Sequence, residues 1–81
     1  METKVAIMSI ILKDGEQAET VNALLHSAAD RVIGRMGIPY RTRGIHIISI
    51  ALDAPEGEIE ALAGKIGELP GVSVKTVLAG E

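Results

Sequence analysis

Half of the eight basic residues fall in a short segment that contains no acidic side chain between positions 31 and 52: Arg31, Arg35, Arg41 and Arg43. A guanidinium group can bind a carboxylate or a phosphate through two parallel hydrogen bonds. Such a cluster can bind an anion. Arg41 and Arg43, at the tip of a predicted hairpin, are better explained as solvated or as paired with acids of a neighbouring subunit, whereas both interpretations stay open for Arg35.

Arg35 belongs to the most specialised segment of the chain, residues 34–40, which reads Gly-Arg-Met-Gly-Ile-Pro-Tyr. Glycine permits close backbone approach, whereas proline restricts its own φ. Two interpretations stay open, because the glycines either let a hairpin pack or bulge, or serve a binding edge. In the second, Arg35 supplies a bidentate contact and Tyr40 an amphipathic one. The binding edge predicts contacts to a ligand or partner from Gly34, Arg35, Met36, Gly37, Pro39 and Tyr40.

The remaining polar residues do not form a recognisable catalytic set. His26 and His46 are the two histidines, and no pattern in the sequence brings them together. His26 has no second ligand one helical turn later, so a boundary position on a helix explains it better than a metal site. The carboxylates are spread over predicted helix starts and exposed faces. We therefore predict no catalytic residue and no cofactor, with a metal-binding accessory protein as the alternative.

Composition narrows the class of protein further. A chain of 81 residues is one domain, 1–81, and it contains no cysteine. Its net charge of -3, pI of about 5.3 and aromatic content of 1 % disfavour direct binding of nucleic acid. The sequence shows no signal peptide and no apolar run of membrane-spanning length. These features predict a cytoplasmic, soluble protein without a membrane partner.

The periodicity of apolar residues predicts the order β-α-β-β-α-β. A first strand covers residues 5–12, and Asp14 and Gly15 turn the chain into a helix over residues 16–30. A hairpin follows, with arms at 31–40 and 45–52, and then a second helix that begins near residues 53–55 and a last strand at 72–78. This order predicts an α+β, ferredoxin-like sandwich, in which a four-stranded antiparallel sheet carries both helices on one face.

Two of the predicted strands are apolar on both faces. A strand of this kind must be covered on both sides, and two short helices cover only one face of the sheet. The second cover is predicted to come from another copy of the chain, which makes the protein a dimer or a tetramer. The residues predicted to form this interface, on the strand face away from the helices, are Met8, Ile10, Ile48 and Ile50.

Three motifs resemble the small family of iron-only hydrogenase system regulators. They are residues 34–40, the Ile-Ile-Ser at 47–49, and the run from Leu62 to Thr76 that contains Leu-Pro-Gly at 69–71. The resemblance covers nearly the whole chain. It implies an ACT-like, ferredoxin-like fold, similar to the effector-binding domain of nickel-responsive ribbon-helix-helix regulators, and an association with iron-only hydrogenase in anaerobic bacteria.

The resemblance also implies a role in transcriptional regulation, with a small-molecule effector or a protein of the hydrogenase system as partner. ACT-like domains often hold effectors at the turn that corresponds to Asp14 and Gly15. The chain differs from the nickel-binding regulators in that it has no cysteine and no N-terminal DNA-binding extension. It is therefore not expected to be a one-component repressor of that kind.

Overall fold

The computed structural model describes residues 2–13 and 17–80. Asp14 and Gly15, predicted as a turn, a helix cap and an effector site, lie outside these residues. The elements are β1 (Lys4–Lys13), α1 (Ala18–Ser27), β2 (Val32–Tyr40), β3 (Ile45–Ala54), α2 (Glu56–Gly67) and β4 (Val72–Leu78), with single 3-10 turns at Ala29–Arg31 and Arg41–Arg43. The predicted element order is confirmed.

The four strands form one antiparallel sheet in the order β2-β3-β1-β4. The two strands predicted to be apolar on both sides, β1 and β3, are neighbours at its centre. Both helices pack on the same face of the sheet, which we call the helix face. The predicted ferredoxin-like sandwich is therefore present, and β2 and β4 are its edge strands.

The core lies between the helix face and the two helices. Val21 and Leu25 of α1 and Ile59, Leu62 and Ile66 of α2 recur at helical spacing and point into it. The strands contribute the alternate residues that face the helices, each at most 5 % exposed: Ala6, Met8, Ile10, Leu12, Ile48, Ile50, Leu52 and Ala54.

The predicted oligomer interface is wrong in its parity. Met8 and Ile10 are 0 % exposed, Ile50 is 1 % and Ile48 is 5 %, and all four belong to the core under the helices. Side chains alternate along a strand, so a strand that is apolar at both parities does not itself indicate which face the helices cover. The helices cover the strand face that contains these four residues, whereas the sequence analysis placed them on the uncovered face.

The opposite side of the sheet carries no element among the described residues, and we call it the open face. The register of the strands assigns it Val5, Ile7, Ser9, Ile11 and Lys13 of β1, Gly34, Met36, Ile38 and Tyr40 of β2, Ile45, Ile47, Ser49, Ala51 and Asp53 of β3, and Ser73, Lys75 and Val77 of β4. Ten of these seventeen residues have apolar side chains.

Helix boundaries differ from prediction for local reasons. α1 ends at Ser27, whose Oγ donates a hydrogen bond to the carbonyl of Leu24 at 2.6 Å, and a 3-10 turn leads directly to β2. β3 continues through the buried Ala54, so α2 begins one residue after Pro55. The Pro55 carbonyl accepts the first bonds of that helix, from the backbone N–H groups of Glu58 and Ile59.

Candidate functional site

Residues 34–40 form most of the edge strand β2, and they divide between the two faces of the sheet. Met36 lies opposite Ser49, and Tyr40 opposite Ile45, so both belong to the open face. Arg35 lies opposite the buried Ile50, on the helix face. The predicted contact residues therefore divide between the two faces, with Gly34, Met36 and Tyr40 on the open face and Arg35, Gly37 and Pro39 on the helix face.

A bulge at the start of β2 produces this division. Val32 pairs with Leu52 whereas Gly34 pairs with Ala51, so Ile33 is an extra residue in the ladder. In a regular strand, Arg35, three residues after Val32, would lie on the face opposite to Val32, which is the open face. The bulge interpretation of this segment is consistent with the structure, and the same bulge turns Arg35 towards α1.

The glycines of the segment are not required by packing within the chain. Neither Gly34 nor Gly37 has a positive φ, and a Cβ built at either position meets no atom within 4 Å. Both positions are therefore open, Gly34 on the open face and Gly37 on the helix face. Pro39 is tolerated because β2 is an edge strand, where the missing N–H costs no ladder hydrogen bond on the outer side.

A groove of about 610 Å³ lies between α1 and β2 on the helix face. We call it the α1/β2 groove, and it is lined by Asn22, Ala23, Leu25, His26, Ala29, Val32, Arg35 and Ile50. Arg35 reaches across it, and one Nη2 hydrogen is donated to the Oδ1 atom of Asn22. Asn22 and His26 are four residues apart on α1 and so occupy the same side of that helix.

The lining of the α1/β2 groove includes the guanidinium of Arg35 and the imidazole of His26 but no carboxylate. Arg35 takes part in no ion pair within residues 2–13 and 17–80. The groove brings Arg35 together with His26, which sequence analysis placed at a helix boundary in preference to a metal site. Asn22 was missed, although a poorly helix-forming asparagine in the middle of a helix is a signal that could have indicated it.

The other arginines of the predicted cluster lie elsewhere. Arg31 faces a second groove of about 350 Å³ between α1 and α2, where its Nη2 atom lies 3.2 Å from the Oε2 atom of Glu58. Arg41 and Arg43 are exposed in the 3-10 turn at the hairpin tip. The four arginines therefore do not converge on one anion site.

The histidines are also separated in the fold. His26 lines the α1/β2 groove, whereas His46 lies in β3 opposite Leu12 and Pro39 and is absent from the groove lining. Across the described ranges, no three His, Cys, Asp or Glu side chains are grouped so that they could hold a metal ion.

The open face carries seven of the nine large hydrophobic side chains that are exposed among the described residues. Ile7, Ile11 and Val77 are 48 %, 47 % and 66 % exposed, and Met36 and Tyr40 are 55 % and 46 % exposed. One row of the sheet, made of Met36, Ser49, Ser9 and Lys75, is mostly polar. The rows on either side of it are mostly apolar: Gly34, Ala51, Ile7 and Val77, and Ile38, Ile47, Ile11 and Ser73.

These features define a small ferredoxin-like α+β domain with one open sheet face and a charged groove beside its edge strand. The chain belongs to the family described as "TM1266-like: Iron-only hydrogenase system regulator, putative", whose model matches residues 4–76. The family resemblance found in the sequence is thereby confirmed. The description is of a regulator, not of an enzyme.

A solved structure of the uncharacterized protein TM1266 from Thermotoga maritima is similar over nearly the whole fold. The two chains are 38 % identical, the match covers 95 % of this chain and 98 % of that one, and the TM-score is 0.90. No functionally curated protein matches the chain. Within the part of the chain that the structure describes, no helix is long and apolar enough to cross a membrane.

Proposed function

We propose that the chain is a non-catalytic regulatory domain of the iron-only hydrogenase system, which pairs with a second copy through the open face and responds to an effector or partner at β2. The observation that carries the proposal is the division of β2 between two surfaces. Arg35 faces the α1/β2 groove, and the next residue, Met36, faces the open face. A ligand that repositions this strand therefore changes both surfaces, which is a physical route for coupling them.

The accessible surface supports a paired state. The chain exposes 5312 Å², whereas a folded monomer of 8.5 kDa is expected to expose ~4,650 Å². The excess of roughly 650 Å² is close to the ~800 Å² that each partner buries in an interface of standard size. Covering the open face once would bring the exposed surface to an ordinary value.

A second copy suits the open face better than an unrelated partner because the face is self-complementary. A two-fold axis along the polar row would place the serines of one copy against those of the other, and would bring the two Lys75 side chains together at the edge of the interface. The two apolar rows would then pack against each other across the interface. The face also lacks a run of like charge that would select a partner of opposite charge, since its ionisable side chains are Lys13, Asp53, Lys75 and Tyr40.

We propose that regulation reaches the genes or enzymes of the hydrogenase system without direct DNA contact by this chain. Its net charge is -3, and α2 carries Glu56, Glu58 and Glu60 on its first half. Such a helix repels a phosphate backbone. We propose a cytoplasmic location because a regulator of hydrogenase genes would act in the compartment in which those genes are transcribed.

The test uses an anaerobic host that carries this gene and an iron-only hydrogenase. Deletion of the gene should change hydrogenase transcript or activity, and the intact gene should restore the original level. A hydrogenase level unaffected by deletion would contradict the regulatory role. Light scattering on the purified protein should give the mass of a dimer or a higher even oligomer, and a stable monomer at micromolar concentration would contradict the pairing.

The same preparation distinguishes the alternative of a metal-binding accessory protein. Metal analysis after a chelator wash should give no stoichiometric iron or nickel. One bound metal per chain would replace the effector proposal with a role in hydrogenase maturation or metal transfer.

A further inference from the structure

We propose that the α1/β2 groove binds an amphipathic anion, a small molecule with a carboxylate or phosphate group on an apolar body. This inference names the class of effector for the regulatory domain proposed above and in that sense rests on it. Binding to the groove can nevertheless be measured without reference to hydrogenase.

Arg35 has hydrogen-bond donors that the described residues leave available. Its guanidinium has five N–H donors, and the described structure engages one nitrogen, Nη2, with the amide oxygen of Asn22. No carboxylate within residues 2–13 and 17–80 pairs with it, and Glu19, one turn before Asn22 on α1, does not line the groove. Asn22 therefore holds the guanidinium in place while leaving donors for a bidentate contact to an anion.

A comparison within the chain shows why this arrangement indicates a ligand. Arg31 also lies beside α1, but Glu58 satisfies it at 3.2 Å, and its groove also contains Asp30 and Lys65. The α1/α2 groove thus has its charges balanced by the chain itself. The α1/β2 groove has a guanidinium and an imidazole and lacks a counter-charge in its lining.

The second polar group in position is His26. It lies one helical turn after Asn22, and both residues line the groove. An imidazole ring donates at least one N–H in either protonation state. Arg35, Asn22 and His26 therefore offer three side chains that can contact one anionic group and its attached polar atoms.

The remainder of the lining is apolar and selects the body of the ligand. Leu25 and Ile50 are almost completely buried and form part of the groove floor, while Ala23 and Ala29 take little space on its α1 side. A volume of about 610 Å³ falls within the ~300–1,000 Å³ typical of small-molecule sites. An apolar chain or ring can thus pack beside the anionic group.

Gly37 lies on the helix face of β2 but is not among the residues that line the groove. It lies two residues after Arg35 on the same face of β2, and a Cβ at this position would meet no atom within 4 Å. A larger side chain there can be accommodated by the fold but would project beside the guanidinium. This position provides a steric variant that leaves the charges unchanged.

The experiment is an NMR titration of the uniformly labelled full chain with sodium octanoate and with hexyl phosphate, below their micelle concentrations. Hexylammonium is the charge-reversed control, and inorganic phosphate and acetate test the headgroup alone. We expect amide shifts that saturate at Asn22, His26 and Arg35 with at least one of the two amphipathic anions. Whichever anion binds more tightly identifies the headgroup as carboxylate or phosphate.

The variants separate the groove from general surface charge. Arg35→Gln should weaken binding about tenfold or more, because it removes the bidentate cation. Arg31→Gln removes the same charge from the balanced groove and should change the dissociation constant less than about twofold. Gly37→Val should also weaken binding while retaining the wild-type amide spectrum away from β2.

Three results would overturn the inference. They are equal shifts with hexylammonium, equal loss of binding in Arg31→Gln and Arg35→Gln, and anion-induced shifts confined to the hairpin tip or the open face. Failure of the regulatory role is a separate outcome, since a deletion that leaves hydrogenase unchanged is compatible with Arg35-dependent binding of octanoate or hexyl phosphate.

Discussion

Ile10 and Ile11 are adjacent and chemically identical, yet they belong to opposite faces of the same sheet. Ile10 is 0 % exposed and packs under the helices, whereas Ile11 is 47 % exposed on the open face. The first residue holds the domain together, and the second is available to a partner. Hydrophobicity alone therefore does not distinguish a core position from an interface position in this fold, and the parity of the strand does.

The largest expected effect comes from a charge on the helix face. Ile48→Glu should unfold the domain, because a carboxylate at a position 5 % exposed loses its hydration without gaining a partner. The expected loss of several kcal/mol, roughly 4 or more, is comparable to the whole stability of a domain of this size. Far-ultraviolet circular dichroism should show loss of cooperative thermal unfolding. A variant that is folded but monomeric would instead support the original prediction that Ile48 lies in the oligomer interface.

The next largest effect is the difference in stability between alanine variants of the two neighbouring isoleucines. Ile10→Ala should lower the free energy of unfolding by about 2–5 kcal/mol, because it leaves a cavity in the core. Ile11→Ala should lower it by about 1 kcal/mol or less, because nearly half of that side chain is already exposed. Urea unfolding at low protein concentration, where association contributes least, measures both. Equal losses would mean that the two faces are not distinct.

A smaller effect on stability, but a decisive one on association, is expected from a charge on the open face. Ile11→Glu should give a folded monomer, because two copies would each place a carboxylate in an apolar interface. Leu78→Glu is the matched control, since Leu78 is 37 % exposed and lies opposite Ala6 on the other face. Sedimentation velocity should show a smaller species for the first variant only. Loss of association in both variants would contradict the assignment of the interface.

The smallest effect is expected at the rim of the helix face. Glu58→Gln removes the partner of Arg31, and the two side chains are 52 % and 39 % exposed. An ion pair that exposed to water stabilises by about 0.2–1 kcal/mol, and by less in high salt. Thermal unfolding at low and high ionic strength should show a small difference from wild type that disappears with salt. A loss that persists in high salt would indicate a contact other than this ion pair.

The sequence predicted the element order, the hairpin and the apolar stripes of both helices correctly. These features depend on local periodicity and turn residues, such as Pro55 before α2 and the glycine at position 44, whose φ of 62° closes the hairpin tip. Periodicity could not predict which strand face the helices cover, because both faces of β1 are apolar and either Ile10 or Ile11 could lie in the core. Packing of the helices decides between them.

The groove escaped sequence analysis for a related reason. One extra residue, Ile33, reverses the parity of β2 and places Arg35 beside Asn22, thirteen positions away in the chain. A bulge in an edge strand has no dependable sequence signature, and its glycine neighbours are equally compatible with a flat hairpin. The predicted contact residues at 34–40 thus became two surfaces, and whether each binds a partner or a ligand stays a prediction.

The central claim, that a second copy covers the open face, is tested most directly by intermolecular nuclear Overhauser effects. The sample mixes isotope-labelled and unlabelled protein, so that only contacts between copies are observed. We predict signals from the methyl groups of Ile7, Ile11 and Ile47 and none from Val21, Ile59 or Ile66, which are buried beneath the helices. Contacts that arise from the outer surfaces of α1 and α2, in a sample whose mass is that of an oligomer, would contradict the account.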